Sequence, residues 1–391
     1  MLSSPTLDAA TRLVGLLLDD LRTLVDIDSG TYTPAGVAAV ADVLEPRFAA
    51  LGAEVRRIPG QALGPQLVAR LRGSGQGRVL LIGHMDTVFP DGEVGRRPFA
   101  IRDGQAFGPG VLDMKSGLLV GLHALNLLRS AGTAPFAELT FICNSDEEIG
   151  SPESRELIRE AAAAADVALV LEPTSDVERL TVARKGVGMY RLAVTGLSAH
   201  AGVEPKKGRS AIVELAHKIL AIQALNGQLD GLTLNVGVVR GGERPNVVPD
   251  FAEATIDIRV TSPEQIARVE DELRRIADDA TVHGTSGALS GSFAHRPFQQ
   301  SERSRQLFAL ASAEAATLGL TLRGEPTGGG SDGNTAAALG VPTLDGLGPS
   351  GGQAHNPGEH VEIASIAPRI ALLAGLLTRL GSGALAATTS E

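Results

Sequence analysis

The chain has 391 residues, room for two domains at roughly 100–200 residues each and for a large apolar core. Acidic residues outnumber basic ones 45 to 35, for a net charge of −10, and aromatic residues make up only 3% with no tryptophan. This balance argues against a polyanionic partner and leaves single-stranded nucleic acid without stacking platforms, while a single cysteine, Cys143, excludes an intrachain disulfide.

The opening segment MLSSPTLDAATRLVGLLLDDLRTL has no basic stretch ahead of its apolar residues and is interrupted by Asp8, Asp19 and Asp20. It predicts an amphipathic helix and not a signal peptide; no other uninterrupted apolar run predicts a membrane span, so a cytoplasmic protein is expected. A helix near 36–51 follows, then QLVARL (66–71), RVLLIGHMD (78–86), a helix at 116–132, ELTFICNSDEE (138–148), a helix at 154–165 and VALVLEP (167–173). Alternation of this kind predicts an α/β fold with a helix-flanked mixed sheet.

Near 180 the spacing changes. TVARKGVGMYRLAVTGLSAHAG (181–202) reads as a hairpin of longer strands, followed by a helix (209–225), strands at 232–240 and 251–260, and a helix (263–279). We expect 185–295 to form an inserted, smaller α+β domain. The first pattern then resumes with a helix at 304–320 and closes with one at 364–381, so the larger domain is expected to be discontinuous, 1–184 with 296–391. The Ala/Thr/Ser-rich C-terminal end should fray.

Three apolar runs end in metal-binding residue types: His84 and Asp86, Glu147 and Glu148, and Glu172. Open α/β sheets place ligands at the carboxyl ends of their strands. Asp113 in GPGVLDMKSG and His355 in GGQAHNPGEH add a carboxylate and an imidazole from glycine-rich loops, completing the composition of a two-metal hydrolytic site. The i, i+2 spacing of His84 and Asp86 puts both on one face, where the carboxylate can take the imidazole hydrogen bond not used on a metal. Adjacent Glu147 and Glu148 in an extended segment point opposite ways, one to a metal and one to substrate as a base. Blander roles remain open for each: a structural histidine, a helix N-cap shared by Asp113 and Ser116, a solvated acidic turn, an idle loop histidine.

GHMDTVFPDG, GPGVLDMKSG, NSDEEIGS, LEPTSD, SAHAG, RPNVVPD, DIRV, TGGGSDGN and the loop around His355, in this order over nearly the whole chain, resemble the aminoacylase and glutamate carboxypeptidase family of di-zinc metallohydrolases. The branch most similar is the carboxypeptidase G type glutamate carboxypeptidases. The resemblance implies two zinc ions per subunit, one held by His84 and Glu172, the other by Glu148 and His355, with Asp113 bridging them; imidazole and carboxylate ligands also accept cobalt or manganese. Asp86 is then the residue that orients His84, Glu147 the general base, and the Asp113-Met114 peptide is cis. His200 in SAHAG matches the family histidine that reaches across a homodimer to polarise the scissile carbonyl. Arg259 and Asn246 match positions that hold the substrate's carboxylate and carbonyl, and Arg179, Thr327 and Gly328 line the pocket where glutamate-specific members seat a side-chain carboxylate. The implied reaction is hydrolysis of an amide beside a free carboxylate in a peptidyl or N-acyl amino acid. Arg184 and Lys185 lean toward deacylase-like branches, which act on acyl-ornithine or acyl-diaminopimelate, and other branches split dipeptides.

Two other readings compete. Gly329-Gly330-Ser331-Asp332-Gly333 fits G-x-S-x-G, with Ser331, Asp345 and His355 in nucleophile, acid, base order. The short stretch between Ser331 and His355 leaves little room for the usual intervening elements, and His84 and the early acids would be idle. A non-catalytic small-molecule binding protein on the same fold is the other reading, and the presence of every expected ligand and of the base argues against it.

Overall fold

Burial along the strand Arg78–His84 sets the layering: Val79 and Leu81 pack into one apolar cluster, Leu80 and Ile82 into another on the opposite face. A strand buried on both sides needs helices over both faces, and it reads in sequence as a continuous apolar run. The computed structural model describes residues 5–385, and most of the Ala/Thr/Ser-rich C-terminal end lies outside the described residues.

The main sheet has six strands in the order Glu54–Ile58, Gln66–Arg72, Glu138–Asn144, Arg78–His84, Val167–Val170 and Thr343–Leu344. The last four run parallel, and the first two close one edge antiparallel. The carboxyl ends of the parallel strands therefore lie together, which is where His84, the Glu147–Glu148 turn and Glu172 emerge.

One face is covered by Pro5–Val25, Pro34–Ala50, Ser116–Ser130, Glu302–Thr317 and Ile363–Leu380, the other by Arg155–Ala163 and Gly333–Ala338. Two helical stretches, Val111–Ser130 and Ile363–Leu380, are long and apolar enough to cross a membrane on length and composition, contrary to the expectation that none would be. They are 83% and 67% buried inside the protein, so packing in the core accounts for their apolarity. A smaller four-stranded sheet, Gly351–Gly352, His360–Glu362, Gln105–Phe107 and Ala100–Arg102, sets His360 opposite Phe107. The loops carrying Asp113 and His355 thus leave the same end of that strand pair.

The chain divides into two compact units: the chain up to Ala183 with Gln300–Thr327 and everything from Ser331 on, and Arg184–Gln299 with Gly328–Gly330. The second unit holds an antiparallel sheet in the order Thr233–Gly241, Phe251–Val260, Gly186–Thr195 and Ser286–His295, with helices Ala211–Gln223 and Pro263–Asp278. Its core is Tyr190, Leu192, Val194, Ile256, Ile258, Leu215, Ile222, Val269 and Leu273.

Two expectations about this region need correction. The stretch 181–202 is not a hairpin: Arg179–Arg184 pairs with Arg323–Thr327 in a two-stranded sheet, while Gly186–Thr195 sits between two other partners in the four-stranded one. Ser286–His295 is a strand that its Ser- and Gly-rich sequence does not predict, because its β-structure comes from pairing with Gly186–Thr195 and not from local propensity.

Candidate metal centre

His84 is the last residue of the central strand, and its imidazole is 2% exposed. Its Nδ1 lies 3.0 Å from the Asp86 carbonyl oxygen and 3.4 Å from the Asp86 carboxylate, so the backbone is the nearer partner where the side chain was expected. The Asp86 carboxylate does wider work, accepting the Thr31 hydroxyl at 2.7 Å and the backbone N–H groups of Glu147 and Glu148 at 3.2 and 3.3 Å. It thereby ties three segments together behind His84.

Asp113 follows a turn in which Gly110 has φ 70°, and a Cβ on that glycine would lie 2.5 Å from the Thr87 methyl group. The Asp113-Met114 peptide is cis. The Asp113 carboxylate does not cap the following helix: Oδ1 is 3.1 Å from His84 Nε2 and Oδ2 is 3.2 Å from His355 Nε2. Glu147 and Glu148 lie on a single 3-10 turn, Glu147–Ile149, not on an extended segment, so adjacency alone does not set them back to back. Glu148 Oε2 is 3.2 Å from His355 Nε2, and Glu172 Oε1 is 3.7 Å from His84 Nε2.

Two groups of ligand atoms result, His84 with Asp113 and Glu172, and Asp113 with Glu148 and His355, the atoms within each group lying within 4.8 Å of one another. Asp113 belongs to both. Burial, then the charges of Glu172, Asp332 and Glu148, push the Glu147 carboxyl well above its usual range against the opposing pull of His84. Burial likewise raises Glu148, with Asp113 adding to it and His355 opposing. Hydrogen bonds donated first to Asp113 and then to Glu148 raise His355 to about 10.

Such a concentration of carboxylates in a dry pocket is costly unless cations neutralise it. Glu148 Oε1 is buried with no hydrogen-bond partner among the described residues, a lone pair left for a ligand. The imidazole and carboxylate donor set and the shared carboxylate fit a pair of divalent ions of the zinc, cobalt or manganese type.

In the second unit His200 bridges Val247, its Nδ1 accepts the N–H groups of Gly202 and Val203 at 3.2 Å, and the Ala201 N–H donates to the Asn246 carbonyl at 3.0 Å, so His200 and Asn246 share one turn system. Arg259 is gripped in two places by Asp257, at 2.8 and 2.9 Å. Arg179 pairs with Glu325 at 3.0 Å, Thr327 ends the strand Arg323–Thr327, and Gly328 belongs to the second unit. The serine triad does not assemble: Ser331 is fully buried and donates directly to Asp345 at 2.6 Å, while His355 is on Asp113 and Glu148.

The sequence did not single out Thr31 or Glu359, nor give Asp332 a place beside the metal-type residues. Asp332 accepts from Asn144 and Ser151, and burial raises its carboxyl to about 6.

Residues 80–379 match the model for peptidase family M20/M25/M40. The chain belongs to this family. The M20 chain is 33% identical to carboxypeptidase G2 of Pseudomonas sp. (strain RS-16) over 380 residues, covering 96% of this chain and 92% of that protein. It is 28% identical to the succinyl-diaminopimelate desuccinylase of Delftia acidovorans, covering 88% and 93%. Among solved structures, a tripeptidase from Staphylococcus aureus superposes with a TM-score of 0.81 at 25% identity, covering 94% of this chain and 98% of that one. The M20 chain is therefore a metallopeptidase or amidohydrolase by family, on the mixed α/β fold of its relatives.

Proposed function

We propose that the protein hydrolyses the amide bond of peptidyl or N-acyl amino acids that carry a free carboxylate, releasing C-terminal glutamate. The observation that carries this reading is the single Asp113 carboxylate with one oxygen facing His84 and the other facing His355. Residues on either side of it supply two ligand sets and leave Glu147 uncommitted to either.

Bound by His84 and Glu172 on one side and Glu148 and His355 on the other, two zinc ions would bring the pKa of a water toward neutrality and polarise the scissile carbonyl. Glu147, held at the site by its N–H bond to Asp86, takes the proton of the attacking water and returns it to the leaving nitrogen. A carboxyl whose pKa is raised by burial and neighbouring acids is suited to both transfers at neutral pH. His200, Asn246 and Arg259 are assigned to the substrate's carbonyl and carboxylate. Arg259 suits a carboxylate because the guanidinium fork that now grips Asp257 presents the same pair of donors to an anion.

The glutamate preference is supported by similarity to carboxypeptidase G2 over 96% of the chain. A second reading, removal of a succinyl or other acyl group from an amino acid, is favoured by the desuccinylase similarity and by the basic pair Arg184 and Lys185. Homodimerisation through the second unit, which the His200 role requires, is supported by the exposed Ile212, Val213 and Leu220 of helix Ala211–Gln223 and by Val238 and Val239 of its outermost strand.

The test is amino acid release from folate-type and simple acyl glutamates, acetylornithine, succinyl-diaminopimelate and dipeptides, with zinc, with a chelator, and as Glu147→Gln. Chelator-sensitive turnover that Glu147→Gln lowers by about 10²–10⁴-fold supports the mechanism. Preference for a non-glutamate substrate moves the reading to the deacylase branch, and metal binding without turnover of any substrate overturns it in favour of a binding protein.

A further inference from the structure

Glu359 belongs to neither ligand group, yet it is 0% exposed and accepts three backbone N–H groups from the loop that carries Asp113. Gly110 donates to Oε2 at 3.1 Å, and Leu112 and Asp113 donate to Oε1 at 2.9 and 3.0 Å. The last of these donors is the N–H of the shared carboxylate residue itself. Glu359 also lies in the loop of His355, whose Nε2 is 3.2 Å from Asp113 Oδ2. One short segment therefore holds Asp113 at both ends, by its backbone through Glu359 and by its carboxylate through His355.

The strand geometry explains why this brace is needed. Gln105–Phe107 and His360–Glu362 pair antiparallel, and the Asp113 and His355 loops both leave the pair at its His360–Phe107 end. Beyond that end no ladder bonds continue, and three N–H groups converge in a dry space. A buried carboxylate is the strongest acceptor available for them; burial raises its pKa to about 7 against the pull of the three N–H groups, and buried Lys115, whose amine donates to the Ile27 carbonyl at 2.9 Å, attracts its charged form.

We propose that Glu359 is a positioning residue of the metal centre, locking the Asp113 loop to the His355 loop so that both oxygens of Asp113 are aimed before a cation binds. The proposal rests on the metal-centre reading above. It is tested with the full chain stripped by a chelator and titrated with cobalt chloride, following visible absorption, alongside the melting temperature of the metal-free protein. Glu359→Gln keeps one oxygen for Leu112 and Asp113 but turns an NH₂ group toward the Gly110 N–H. It is expected to bind cobalt about 10–100-fold more weakly than the wild type. Glu359→Asp loses reach and should weaken binding at least as much; both metal-free variants should melt somewhat below wild type, because buried N–H groups lose their acceptor, yet remain folded at the titration temperature. Two cobalt ions bound by Glu359→Gln with wild-type affinity and spectrum overturn the proposal. So does a loss of affinity that appears only together with unfolding at the titration temperature. If the wild type itself takes up no cobalt, the metal centre falls as well, an outcome distinct from failure of Glu359 alone.

Discussion

His355 Nε2 stands 3.2 Å from Asp113 Oδ2 and an equal 3.2 Å from Glu148 Oε2, so one imidazole is shared between two acids. In the absence of metal those acids hold a proton on His355 up to about pH 10. His84 is also held well above the usual histidine range: burial opposes this most, and the hydrogen bonds to Asp113 and Asp86 overcome it. A cation must displace these protons, since metal-bound imidazole is neutral. Metal affinity should therefore rise with pH across the neutral range and fall on acidification, with about one proton released per histidine. Calorimetric zinc titrations in two buffers of different ionisation enthalpy measure the release directly. Heats that do not depend on the buffer would show that the histidines are not ligands.

Thr31 reaches the same centre from behind. Its hydroxyl donates to Asp86 Oδ2 at 2.7 Å, and Asp86 is fully buried behind His84. Thr31→Val keeps the shape and removes the donor, leaving the carboxylate to its N–H partners from Glu147 and Glu148. The expected result is roughly a 10-fold loss of metal affinity, with Thr31→Ser restoring most of it. Equal affinity in all three proteins would mean that Asp86 needs no help from this side.

The second unit carries a separate structural dependence. Lys218, 3% exposed, donates to the carbonyls of Ile276, Ala277 and Asp279 at 2.6, 3.0 and 2.7 Å, closing the end of helix Pro263–Asp278, and pairs with Glu214 at 3.0 Å. Glu214 in turn accepts the N–H groups of Thr281 and Val282. Lys218→Met strands a buried carboxylate and three carbonyls, and should cost about 3–5 kcal/mol in urea unfolding. The Glu214 carboxyl lies below its usual 4.5: burial raises it, and the Val282 N–H and Lys218 outweigh that. Its contribution is thus complete above pH 4.5 and is lost as pH falls through the lower folded value. The gap between wild type and variant should narrow on acidification as Glu214 is protonated, leaving the part due to the three carbonyls, and a gap independent of pH would contradict the Glu214 assignment.

Legibility in the sequence followed burial. VLLIGH, FICN and VALV announced themselves because parallel strands buried on both faces are continuously apolar, and the metal-type residues behind them followed from where such strands end. Gln105–Phe107 and His360–Glu362, three residues each, are too short for any period to register, although they aim Asp113 and His355. Glu359 was invisible for another reason: its partners are backbone N–H groups, which every residue but proline offers, so no residue pattern marks them. For Glu147 and Glu148 only the premise failed: an alternation rule for strands was applied to what is a helical turn.

Ser331 decides between metal and serine chemistry. It is fully buried, its hydroxyl donates to Asp345 at 2.6 Å, and its oxygen accepts the Gly333 N–H at 3.1 Å. A nucleophile needs a neighbouring base to take its proton. The hydrogen bonds of this hydroxyl instead brace the Gly333–Ala338 helix start against Asp345, at the end of the sheet beside Thr343–Leu344. Ser331→Ala should consequently lower stability by about 1–3 kcal/mol through the weakened Asp345 contact. It should leave chelator-sensitive turnover within roughly an order of magnitude of wild type, whereas loss of a serine nucleophile costs about 10⁴-fold or more. Measured together, unfolding and turnover separate the two roles: a large catalytic loss with unchanged stability would restore the serine reading, and the reverse pattern leaves Ser331 as a structural brace next to a metal centre.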